Sequence, residues 1–122
     1  GAGGSLEVLD GVYPTFQEST AETFTEGDGG SIIYLKPHIN KNVAVHSAVV
    51  YFSSAFTGTL TIQGSLSPQP TGLQNADFTT ISVQTYTAQT ANAFVSFTGV
   101  YSAVRFVRAT TTGTLSQVLY RP

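Results

Sequence analysis

No stretch of this chain of 122 residues carries an apolar stripe with the 3.6-residue period of an amphipathic helix; alternation with a period of two recurs instead. Residues 20–25 are compatible with a helix, but no stripe is sustained there. The cleanest alternation runs from Gly58 to Leu66, with Leu60, Ile62 and Leu66 on one face and Thr59, Thr61, Gln63 and Ser65 on the other. Such a strand has one dry face and one wet face. Val43 to Phe52 differs, because Val43, Val45, Val49 and Tyr51 alternate with Ala44, His46, Ala48, Val50 and Phe52. Both of its faces are largely apolar, which predicts a strand covered on both sides. Further strands are expected at Ser31 to Leu35, where Pro37 forces an end or an edge, and at Phe78 to Thr87, Ala93 to Phe97, Tyr101 to Thr110 and Leu115 to Tyr120. Pro68, Pro70, Gly72 and Asn75 mark a loop between two of them.

The tetrapeptide Thr-Gly-Thr-Leu occurs twice, at residues 57–60 and 112–115, each time after a run of strand-forming residues. Glycine takes positive φ without the steric penalty of an L side chain, and threonine suits strand ends, so each copy reads as a hairpin turn. Two related hairpins fit the two halves of a sandwich of antiparallel sheets. The expected fold is all-β: an antiparallel β-sandwich, jelly-roll-like, over residues 31–122, preceded by an extended acidic N-terminal arm over residues 1–30.

Charge and composition restrict the function. Charged residues make up 10% of the chain, against roughly a quarter in ordinary globular proteins, so the polar surface is mostly hydroxyl. A net charge of −2 and five basic residues offer no footprint for a phosphate backbone, and nucleic acid is excluded as an expected partner. The longest apolar stretches fall short of a bilayer span, so no membrane crossing is expected. Without cysteine there is no disulfide framework or thiolate metal site. Glu26-Gly27-Asp28-Gly29-Gly30 brings carboxylates to a glycine-rich turn, but its spacing matches no EF-hand and it reads as a plain turn. No metal or cofactor is expected.

Six of the seven acids, Glu7, Asp10, Glu18, Glu22, Glu26 and Asp28, precede residue 29, whereas all five basic residues lie from Lys36 onward. The acidic arm carries spaced aromatics at Tyr13, Phe16 and Phe24. An extended segment with such anchors is suited to docking on a neighbouring subunit. Arg105 and Arg108 point to opposite faces of a regular strand, and one of them is expected to reach an acidic residue, across a subunit boundary.

Catalysis finds little support. The bases that titrate near neutrality are His38, in a loop, and His46, in an apolar strand where a hydrogen-bonded structural imidazole is expected. Carboxylate pairs would have to come from an arm without rigid context. A sugar-binding module is the rival reading, with Tyr86, Phe94 and Tyr101 as stacking candidates, against the absence of tryptophan.

The stretch from Phe78 to Pro122, preceded by Phe56 to Leu66, resembles β-sandwich domains of tailed-bacteriophage virion proteins, which include capsid decoration proteins and tail or baseplate accessories. The resemblance lies in a strand from Gly58 to Ser65, a variable loop, the Phe78-x-x-Ile81 strand, the Gly99-x-Tyr101-x-x-Val104-Arg105 strand and the closing Thr112 to Leu115 segment. It implies a non-enzymatic virion protein at the particle surface that associates with itself, as a trimer, and with a capsid or tail scaffold. The alternative it implies is a tail-associated, receptor-binding carbohydrate module.

Overall fold

The computed structural model describes residues 20–21, 32–35, 45–69 and 71–121. Within them the chain is antiparallel β-sheet with one short 3-10 turn at Asn75–Asp77, so the all-β class expected from the alternation is observed. The strands are β1 (Thr20–Ala21), β2 (Ile33–Tyr34), β3 (Val45–Ser65), β4 (Thr79–Gln89), β5 (Ala93–Thr98) and β6 (Ala103–Arg121).

Two strands organise the molecule. β3 and β6 pair from Ser47↔Arg121 to Ser65↔Ala103, and their outer neighbours change midway. Val45 to Val50 of β3 pair with β5, whereas Phe56 to Gly64 pair with β4. On the other side, β6 meets β2 near its start and β1 near its end. The strand order is therefore β1-β6-β3-β5 in the half that contains His46 and β2-β6-β3-β4 in the half that contains Arg105. Thr20–Ala21, inside the segment expected to be an arm, contributes a strand to the sheet.

The halves fold toward one another. Phe106 and Tyr120 sit on the same strand, and a flat strand would hold their Cα atoms roughly 45 Å apart; their ring centroids are 5.8 Å apart. Arg108 reaches across the same bend, its Nη1 donating to the Leu115 carbonyl at 3.1 Å. Buried side chains from both halves accordingly form one core, which includes Val50, Leu60, Ile62, Val95, Phe106, Leu115 and Val118.

The repeated tetrapeptide is not a pair of hairpin turns. Both copies lie inside the long strands, where Thr57 pairs with Thr112 and Gly58 with Thr110, and register shifts cluster between Tyr51 and Gly58. Bulges of this kind bend a strand and increase its twist. The glycines act reciprocally: a Cβ on Gly58 would strike the Ala109 carbonyl, and one on Gly113 would strike the Ala55 carbonyl and lie 2.8 Å from Phe56 Cα. Gly113 also holds a φ of +79°, which a β-carbon disfavours. Each copy thus lets the opposite backbone approach where the two-stranded ribbon turns its corner.

Two face assignments also change. Leu66 is 75% exposed because β3 ends at Ser65, so Leu66 does not continue the face of Leu60 and Ile62. Val45 is 54% exposed, with Val49 and Tyr51 half-buried on the same side, so the described part of this apolar strand is covered fully on one face only.

Candidate contact surface

In the His46 half, His46, Ala48 and Val50 of β3 turn inward, leaving Val45, Ser47, Val49 and Tyr51 on the outer side. Val49 is in register with Phe94 of β5 and with Leu119 of β6. Three apolar side chains therefore stand abreast across three strands, spanning about 10 Å at the usual strand spacing. Phe94 is 87% exposed. A shallow groove of about 200 Å³, lined by Ser47, Val49, Phe94, Leu119 and Arg121, runs beside it. Exposed apolar patches of this kind mark interaction sites, and full burial of a phenylalanine contributes about 1.5–3 kcal/mol.

The adjoining edge is also permissive. Strands β4 and β5 lie at the edge of their halves, and among the described residues no strand pairs with their outer sides. From Thr79 to Thr98 there is no charged residue and no proline, two of the usual devices that keep edges apart.

Beneath the apolar row the interior is polar at one point. His46 is fully buried, its Nε2 lying 2.7 Å from the Gly99 carbonyl and its Nδ1 2.7 Å from the Tyr120 hydroxyl. The carbonyl can only accept, so Nε2 carries the proton and Tyr120 donates to Nδ1. The ring stacks on Phe97 at 4.7 Å between centroids. Burial lowers the His46 pKa from 6.5, and the Gly99 bond opposes that shift; burial raises that of Tyr120. Both ring nitrogens are committed, as expected of a structural imidazole.

The Arg105 half is arranged differently on its outer side. Arg105 is 8% exposed. Its Nε donates to Gln63 Oε1 at 2.8 Å, its Nη1 donates to Asn75 Oδ1 at 2.7 Å, and its guanidinium lies 4.3 Å from the Phe78 ring centroid. These bonds and the Arg108 bond to Leu115 are internal to the protomer. Arg105 fastens the loop before β4 down onto the sheet.

The three aromatic residues considered for sugar stacking are not brought together. Tyr86 packs inside against Phe52 and Phe56, with its pKa raised by burial. Tyr101 packs beside His46 and Phe97. Phe94 alone is on the open face. Tyr13, Phe16, Phe24, His38 and the turn at residues 26–30 lie outside the described residues.

Sequence reasoning missed the Phe94-Val49-Leu119 row, although parity held a signal. Val95 and Phe97 are buried and alternate with Phe94, whose phase leaves it outside. The partners of Arg105 carried no such signal, since Gln63, Asn75 and Phe78 belong to different elements. Comparison of the chain with family models, curated proteins and solved structures finds no match.

Proposed function

We propose that this chain is a non-enzymatic structural protein of a bacteriophage virion, a capsid decoration protein that self-associates and attaches to the particle surface. The observation that carries this reading is the row of exposed Phe94 and half-buried Val49 and Leu119 beside an uncharged edge. A second copy is the occupant we assign to it, and exchange of the arm preceding Thr20 is the means. β1, which follows that arm, lies at the border of the same half, two strand spacings from β3. Tyr13 and Phe16 on the arm are the aromatic anchors we assign to this contact.

The strand order is compatible with a jelly-roll sandwich, an architecture of capsid and lectin domains. In such a role the work is mechanical. A specific contact requires about 800 Å² per partner, and repetition over a symmetric lattice multiplies modest affinities. A trimer is the assembly we assign.

Antibody labelling of purified particles, with sedimentation of the free chain, tests this reading. Label on the capsid exterior and an oligomeric free chain are expected. Particles without label, or a free chain that stays monomeric and turns over a substrate, would overturn it.

A further inference from the structure

We infer that the cleft where β3 ends and β4 begins is a binding site for a neutral saccharide, separate from the apolar row and independent of the virion reading. The cleft has a volume of about 510 Å³, within the roughly 300–1,000 Å³ of small-molecule sites. Half-buried Tyr101 and Ile81 supply apolar surface to it, and exposed Asp77, Thr79 and Leu66 complete the lining used here. Buried Gly64 lies behind them, where a Cβ would come within 2.7 Å of Tyr101 Cδ1 and 2.9 Å of Ile81 Cδ1. The absent side chain lets both groups seat against the backbone.

The chemistry of the lining selects the ligand class. No cationic side chain lines the cleft, which disfavours phosphate or another anion. One carboxylate is too few for a divalent ion, and no group of three potential metal-ligating side chains occurs among the described residues. A pyranose presents hydroxyls that donate and accept, together with an apolar C–H face. The Thr79 hydroxyl and the Asp77 carboxylate complement the hydroxyls, and an O–H donor to a carboxylate makes the stronger, charge-assisted type of bond. Thr80, on the other side of the pleat, accepts from Gln63 Nε2 at 3.4 Å. Tyr101 and Ile81 complement the apolar face.

Buried Arg105 gives this arrangement its rigidity. Asp77 Oδ2 accepts the Gln74 backbone N–H at 2.7 Å, which closes a capping box on the short turn. Arg105 holds the same turn through Asn75 and Phe78. The carboxylate is therefore placed before a ligand arrives, which reduces the ordering cost of binding. Arg105 is a positioning residue for this cleft and touches no ligand.

The test is saturation-transfer NMR and a glycan array on the full chain, with glucose, galactose, mannose and N-acetylglucosamine as soluble probes. Saturable millimolar binding of at least one neutral sugar is expected. Asp77→Asn and Thr79→Val, both at exposed positions, should each weaken it about tenfold or more while the circular dichroism spectrum is unchanged. Arg105→Met should weaken sugar binding and speed amide exchange across residues 71–78, whereas Phe94→Ser should leave the sugar affinity unchanged. A blank array with no saturable titration, equal affinity in both cleft variants, or binding of inorganic phosphate or calcium in place of sugar would overturn the inference. A blank array with self-association intact would remove the cleft alone.

Discussion

The His46 half and the Arg105 half share β3 and β6, yet their outer faces differ in character. In the His46 half the interior holds a buried polar group and the exterior presents Phe94, Val49 and Leu119. In the Arg105 half the interior packs Leu60, Ile62, Val104 and Phe106, with the polar ends of Tyr86 and Arg108 also on that side, while the exterior holds a buried arginine beneath its own loop. A face covered by the protomer's own chain is finished as structure. An apolar face left open can still gain stabilisation by burial against another surface, and this difference is why we propose the contact surface there.

The largest expected effect tests whether the halves are one unit. Phe106→Ala removes a fully buried ring in the Arg105 half that packs edge-on to Tyr120 of the other, and should cost about 3–5 kcal/mol. Because β3 and β6 run through both halves, denaturant unfolding should remain a single transition at a lower midpoint. Two separated transitions would mean that the halves are independent, and the comparison would then be between two folding units.

Next comes the corner between them. Gly113→Ala places a β-carbon at positive φ against the Ala55 carbonyl, with an expected cost of about 1–3 kcal/mol. A thermal melt that matches wild type would show that the ribbon does not need the close approach described here.

A smaller effect distinguishes the two interiors by pH. His46 in the folded chain titrates below 6.5 because burial disfavours the imidazolium. The unfolded chain therefore takes up that proton first, and the contribution is fully present above about pH 6.5 and is lost as pH falls from there through the folded pKa. Urea midpoints should decline between about pH 7 and pH 5.5, and His46→Gln should flatten that decline. An equal slope in the variant would assign the acid sensitivity to other groups.

Much of this architecture is legible in the sequence, for physical reasons that differ by element. The alternation of Leu60 and Ile62 with Thr61 and Gln63 reports a half-buried strand because side chains on a pleat alternate faces. The repeated tetrapeptide misleads because glycine beside threonine reports local backbone freedom and close approach, which a hairpin and a folded-over strand both require. The apolar strand from Val43 misleads in another way. An apolar face left partly open has the same composition as a face covered by its own chain, so sequence alone assigns it to the interior. Arg105 reads as a candidate partner for an acidic residue, whereas its described partners are the amides of Gln63 and Asn75, because the loop that buries it is brought there by tertiary structure. Of the proposed cleft, Tyr101 was visible as an aromatic candidate, whereas its juxtaposition with Asp77 and Thr79 depends on where β3 stops.

The smallest expected effect on folding bears on the central claim, that the open face of the His46 half joins copies of this chain. Phe94→Ser changes an exposed side chain and should leave the unfolding free energy per protomer within about 0.5 kcal/mol once dissociated. Sedimentation equilibrium of wild type and of this variant across a range of concentrations is the most direct measurement. Wild type is expected to be an oligomer and the variant a monomer or a much weaker oligomer; a wild-type monomer, or an oligomer that Phe94→Ser leaves intact, would rule out self-association through this face.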